Sequence, residues 1–347
     1  MEHQPVHYGD YLQLDKILNA QEPVSFGKGK MPAHDEMLFI VIHQAYELWF
    51  KQILFEIDSV AEILERPTLN DNSPELQMIV HRMDRVNMIL KVLVQQVDIL
   101  ETMTPMEFLN FRDMLRPASG FQSWQFKLLE ARLGLKYEQR HGQNYYLSQL
   151  NPDEITIIKN AESRPSVLEL VNNWLERIPF FDIKYWEGYS SLSDSEGKHP
   201  FWADYRHIWE QSLSPEEKNN IGAFDKLILG IGQEEDRQLS SAACRAALFI
   251  MSYRGYPMLE LPFRLLDILL ETDNQLGSWR YRHINMVRRM IGGRIGTGGS
   301  TGAGYLQGAM EKHYIFREFS QLNSFLMESR KLPVLPEKLT TNLGYKS

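Results

Sequence analysis

Three stretches of the sequence bring together residue types that can do chemistry. In the first, His34-Asp35-Glu36-Met37-Leu38-Phe39-Ile40-Val41-Ile42-His43, an apolar helical run carries His43 one turn after Phe39 and on the same side. Two readings fit: a satisfied core histidine, or a pocket in which Phe39 is an aromatic wall and His43 offers a hydrogen-bonding nitrogen. His34 and Glu36 lack the His-Glu-x-x-His spacing, which excludes a zinc-protease site. In the second stretch Phe108 and Arg112 stand one turn apart, just ahead of Pro117-Ala118-Ser119-Gly120-Phe121. A planar guanidinium fork suits a substrate carboxylate through two parallel hydrogen bonds, and it pairs equally well with a carboxylate on a neighbouring helix.

The third stretch joins a histidine helix to a glycine-rich loop. Trp279, His283, Met286, Val287 and Met290 recur at helical spacing along one stripe, which suits an apolar macrocycle. Arg280, Arg282, Arg288 and Arg289 share that helix, either as counter-ions to anionic groups on such a ligand or as a solvated, ion-paired face. The loop from Gly292 to Gly304 carries the Thr297 hydroxyl among its glycines. It follows a helix and lacks both the P-loop ending and the dinucleotide fingerprint, so nucleotide binding is set aside. Glycine at this density lets backbone approach a ligand closely or serves as a mobile linker.

Helices must position these residues. Ser73-Pro74, Thr104-Pro105, Asn151-Pro152 and Ser214-Pro215 pair a capping side chain with proline at the first helical position, and Glu107, Glu154 and Glu217 complete capping boxes. Apolar residues at intervals of three and four predict a long helix from Met37 to about Leu64, closed by Pro67. Further long helices are expected from Pro74 to about Met103, Pro262 to about Met290 and Tyr305 to about Met327. Shorter ones fit Phe121–Leu133, Ile155–Ala161 and Ser240–Tyr253. No alternating strand pattern appears. The expectation is an all-α long-helix bundle forming one domain over residues 1–347, with a more polar insertion from about Gln139 to Gln238 and an exposed loop from Ser190 to Pro200.

A formal charge of −8 argues against nucleic acid as a partner, and no apolar run is long enough to span a bilayer. No signal peptide opens the chain, so a cytoplasmic location is expected. Cys244 is the sole cysteine, which removes disulfides and thiolate clusters and leaves histidine or carboxylate to hold any metal.

Taken in order, these segments resemble the tryptophan 2,3-dioxygenase family from Tyr8 to about Tyr305, most weakly between about Gln139 and Gln238. The resemblance implies that His283 is the axial iron ligand of a b-type haem, one per subunit, with Trp279, Met286, Val287 and Met290 against the macrocycle. It implies that His43 lies on the distal, catalytic side and that Phe39, Ile40, Val41, Ile42 and Phe108 surround an indole. Arg112 would hold the substrate carboxylate, with Ser119, Gly120 and Thr297 closing on the amino-acid group. Tyr8-Gly9-Asp10-Tyr11-Leu12 matches the family's amino-terminal segment, which reaches into a neighbouring pocket of a homotetramer, a dimer of dimers. Tyr8 and Tyr11 join the substrate site on that ground.

The implied reaction consumes L-tryptophan and O2 on ferrous haem to give N-formyl-L-kynurenine, the first step of tryptophan degradation. The alternatives are a relative that oxygenates a modified indole or another aromatic amino acid, and a non-catalytic haem sensor. Arg112, Phe39, Phe108 and Thr297 together favour catalysis, because a gas sensor has no use for an amino-acid clamp. Two departures from the family pattern, Tyr253–Leu259 and the chain after Lys312, touch none of the named pocket residues.

Overall fold

The computed structural model describes residues 5–69, 73–192, 199–232, 237–297 and 302–344, and among them there is helix and no strand. Two short helices, α1 (Tyr8–Leu12) and α2 (Leu14–Leu18), precede α3 (Asp35–Leu64). Asp35 and Glu36 place negative charge in the first turn of α3, where the helix dipole favours it. Glu36 also accepts the Val24 and Ser25 N–H groups at 2.6 and 2.8 Å, which pins the incoming chain to the start of this helix.

Cap chemistry opens the next elements. Ser73 accepts the Leu76 N–H and Pro74 begins α4 (Pro74–Leu100). Thr104 and Glu107 form both halves of a capping box at α5 (Pro105–Arg112). Ser123 caps α6 (Trp124–Leu133), and after α7 (Gln143–Tyr146) an Asn151–Glu154 box heads α8 (Pro152–Glu162). The Ser214 box opens only a 3-10 turn, Pro215–Glu217; between α9 (Val167–Glu176), α10 (Pro200–Ser212) and α12 (Ser241–Ser252), the helix α11 begins later, at Asn220, and runs to Leu227. The long α13 spans Glu260–Ile291.

α3, α4 and α13 lie side by side, with α4 packed against both others. Between α4 and α13 the buried Asn87 donates to the Ile268 carbonyl at 3.0 Å and accepts the Thr272 hydroxyl at 2.9 Å, a polar lock inside an apolar seam. The segment from Gln139 to Gln238, polar by composition, buries Trp174, Trp202, Tyr205 and Trp209 in the same core as these three helices. Residues 193–198 of the loop expected at Ser190–Pro200 lie outside the described residues. No helix among the described residues is long and apolar enough to cross a membrane.

The helix expected from Tyr305 to Met327 is not continuous. It divides into α14 (Gly302–Lys312), α15 (Arg317–Leu322) and a 3-10 turn at Asn323–Phe325, followed by α16 (Glu337–Leu343). The cause is tertiary. Asp273 on α13 accepts the N–H groups of Ile315 and Phe316 at 3.1 and 2.5 Å, and the His313 carbonyl accepts Arg280 at 2.9 Å. Backbone groups that would have continued the helix are taken by side chains of α13.

Glu130 of α6 anchors that break. Its carboxylate accepts Arg140 and Arg280 at 2.7 Å each and lies 3.3 Å from His313 Nδ1, all four side chains being buried. Burial opposes the charge, yet His313, Arg140 and Arg280 hold the Glu130 carboxyl well below the usual carboxylate range. Glu130→Gln leaves Arg280 without its counter-charge in the interior and Arg140 with only the more distant Glu162, 3.8 Å away. It should cost about 3–5 kcal/mol, read as a lower urea midpoint for unfolding of the purified protein. A midpoint equal to that of the wild type would mean that water or other groups replace the carboxylate.

Candidate active site

A second, smaller apolar cluster forms where α3, α4, α5 and α13 converge, built on Ile42, Val97, Leu100, Phe111, Met286 and Met290. Phe39, Phe108 and Val287 pack against it, half-buried. The sequence-predicted residues of three helices therefore share one wall. Phe39 stacks near Phe108 with ring centroids 5.7 Å apart, and both meet Phe111 edge-on at 5.6 and 5.5 Å. Phe111 escaped the sequence reading. Its spacing of one turn from Phe108 was the available signal.

His43 lies with its ring centroid 4.0 Å from that of Phe39. Its Nδ1 is 2.6 Å from the Phe39 carbonyl, which can only accept, so Nδ1 carries the proton and Nε2 is left as an acceptor. The ring keeps open surface although protein surrounds it, as a residue lining a recess does. That enclosure lowers the His43 pKa, against the opposing pull of the Phe39 carbonyl and Glu47. Ile40 is half-buried and Ile42 is buried in the cluster, while Val41, two residues from both Phe39 and His43, is on the opposite side of the turn and exposed.

On α13, Trp279 lies nearly parallel to His283 with centroids 4.9 Å apart, and is itself backed by Phe126 at 4.8 Å and Tyr46 at 6.2 Å. The stripe thus divides at His283: Trp279 braces it from the main core, and Met286, Val287 and Met290 face the smaller cluster. Burial, with a contribution from nearby His43, pushes the His283 pKa down to about 4, so the imidazole is neutral at physiological pH. Its Nδ1 is buried with no hydrogen-bond partner among the described residues. Buried polar atoms are paired in the great majority of cases, so a neutral, braced imidazole with an unmatched nitrogen fits a residue that takes a metal. No group of three or more histidine, cysteine or carboxylate side chains that could hold an ion alone exists among the described residues. One imidazole beside an apolar wall fits a haem, whose macrocycle brings the other ligands.

Arg112 is buried at the end of α5 and donates to the Ile295 carbonyl of the loop after α13. No carboxylate among the described residues pairs with it, so the helix ion pair left open by the sequence does not form. The other arginines are engaged elsewhere. Arg280 belongs to the Glu130 cluster, Arg282 pairs with Asp98 and Glu101 of α4, Arg288 bonds Gln307, and Arg289 is exposed.

Ser119 accepts the Phe121 N–H and receives its own cap from Gln122, closing a tight turn over Gly120–Gln122. Among the described residues nothing lies within 4 Å of where a Cβ on Gly120 would sit. Gly292 ends α13 with φ of +55°, a conformation that favours glycine. Thr297 is half-buried in the loop that follows, whose residues 298–301 lie outside the described residues. Tyr8 and Tyr11 stand exposed on α1, and neither α1 nor α2 buries a residue in its own chain.

The profile of a family described as tryptophan 2,3-dioxygenase matches residues 1–326. Proteins of that name from Bdellovibrio bacteriovorus and Alteromonas mediterranea are 40% and 42% identical, over 99% of this chain and 99% and 98% of theirs. One from Dictyostelium discoideum is 39% identical over 98% of this chain and 88% of its own. The chain belongs to the tryptophan 2,3-dioxygenase family.

Proposed function

We propose that this protein is a haem-dependent dioxygenase that cleaves the C2–C3 bond of the L-tryptophan indole and inserts both atoms of O2, giving N-formyl-L-kynurenine. The observation that carries the reading is a neutral His283, unmatched at Nδ1 and near His43, on the helix whose Met286, Val287 and Met290 pack with Phe39 and Phe108, together with a buried Arg112 that pairs with no carboxylate among the described residues. Bound haem iron would supply what the side chains lack, a means of making triplet O2 reactive toward an aromatic ring.

The residues do the rest. Phe39 and Phe108 offer flat faces to an indole. His43 presents an acceptor at Nε2, because Nδ1 is committed to a carbonyl, and it can take the indole N–H and steer the ring. Arg112 has donors to offer the carboxylate, and on this reading Ser119, Gly120 and Thr297 enclose the amino-acid end. Met286, Val287 and Met290 would form the apolar wall against a bound haem and exclude water, and His283 would hold its iron. We infer further that the apolar, unburied α1 with Tyr8 and Tyr11 completes a neighbouring pocket in a homotetramer with one haem per subunit, and that the enzyme is cytoplasmic.

The test is product mass. Haem-loaded protein, reduced under nitrogen and given L-tryptophan and O2, should yield tryptophan plus two oxygen atoms; a product with one oxygen, or none, overturns the reading.

The low pKa of His283 sets an expectation for loading. The folded value near 4 lies below the ordinary 6.5, so its contribution to stability is present above pH 6.5 and is lost as pH falls toward 4. Haem affinity should therefore be flat from about pH 8 to about 6.5 and decline as pH approaches 4. Titration of the haem-free protein at several pH values checks this, and a steep fall already between pH 8 and 6.5 would contradict it.

A further inference from the structure

We propose that Lys127, the fourth residue of α6, is a positioning residue that holds the Ser119–Gln122 turn in place behind the substrate's amino-acid end. The proposal rests on reading Ser119 and Gly120 as part of the substrate site. Lys127 is buried, its ammonium donates to the Phe121 carbonyl, and its nitrogen lies 6.0 Å from the ring centroids of both Phe121 and Tyr146. A lysine stem normally lets the charge reach water, so an ammonium kept inside the protein and directed at one backbone oxygen marks a constraint on that backbone.

No carboxylate among the described residues is within ion-pair distance of it. Glu130, Glu154 and Glu47 act on it only from further away, and Arg140 opposes them. Burial draws the ammonium down to about 8, which leaves it mostly charged at neutral pH. The anchor itself is fixed: Gln125, two residues earlier, donates to the Glu47 carbonyl at 2.9 Å and to its carboxylate at 2.8 Å, one turn beyond His43 on α3. No described residue comes within 4 Å of where a Cβ on Gly120 would sit, and the turn is held from the Lys127 side and by its own Ser119–Gln122 box. Small displacements of backbone that encloses a substrate change binding strongly.

Lys127→Met keeps the stem volume and deletes the donor; Lys127→Arg keeps a donor. The measurements are KM and kcat for L-tryptophan, the haem absorption band, and amide hydrogen exchange over 118–123. Lys127→Met should raise KM about tenfold with kcat changed less than twofold, and should speed exchange in that segment alone; Lys127→Arg should recover most of both. Unchanged KM and unchanged local exchange in Lys127→Met would overturn the proposal, as would an equal fall in kcat that arginine does not rescue. Should the methionine variant fail to fold, Lys127→Leu, which also lacks a donor, carries the same test. A wild-type holoprotein that neither binds nor converts L-tryptophan would sink the dioxygenase reading, and the exchange data would still decide whether Lys127 holds the turn.

Discussion

His283→Ala is expected to leave a folded protein that retains no haem and makes no N-formylkynurenine. On the proposed reading His283 is the iron ligand, being the neutral imidazole with a buried, unmatched nitrogen, and no group of three or more histidine, cysteine or carboxylate side chains among the described residues could hold the ion in its place. The loss should be visible before any assay, as disappearance of the intense haem absorption after purification. Glycine at the same position should leave a gap under Trp279 into which free imidazole fits, and added imidazole should restore haem binding in part. A His283→Ala protein that keeps stoichiometric haem and turns over would remove the assignment.

Arg112→Met is the second large effect, acting on substrate and not on cofactor. A charge-assisted hydrogen bond contributes roughly 1.5–3 kcal/mol, so losing the carboxylate contact should lower kcat/KM by about ten- to a hundredfold. Arg112→Lys should recover little, because a point charge lacks the planar fork. Structural and direct roles can be separated here, since Arg112 also holds the Ile295 carbonyl. Tryptamine, which has no carboxylate, should bind the wild type and Arg112→Met with similar affinity. If the variant weakens tryptamine as much as tryptophan, the guanidinium acts only through the loop.

What the sequence made legible was local chemistry. Ser73, Thr104 and Asn151 announce their helices because a cap is satisfied within four residues, and the stripe on α13 is legible because one helix carries it. Partners far apart in the chain were not legible. Arg280 looks like a spare cation until Glu130, on another helix, is seen beside it, and the break at 313–316 depends on Asp273 and Arg280 in α13. An apolar period cannot report that its own amides are taken by a distant carboxylate. The same limit hid Lys127, whose partner is a backbone oxygen with no side-chain signature, and it left Arg112 open between two partners, neither of which was the carbonyl it meets.

Position 39 does two jobs through different parts of one residue. Its carbonyl sets the proton on His43, and its ring walls the site. The main chain is inherited whatever the side chain becomes, so drift at this codon could reshape the cavity toward bulkier or smaller rings while the histidine's tautomer stays put. A substrate range can thus widen or narrow in single steps with the hydrogen-bonding sense of the catalytic face intact.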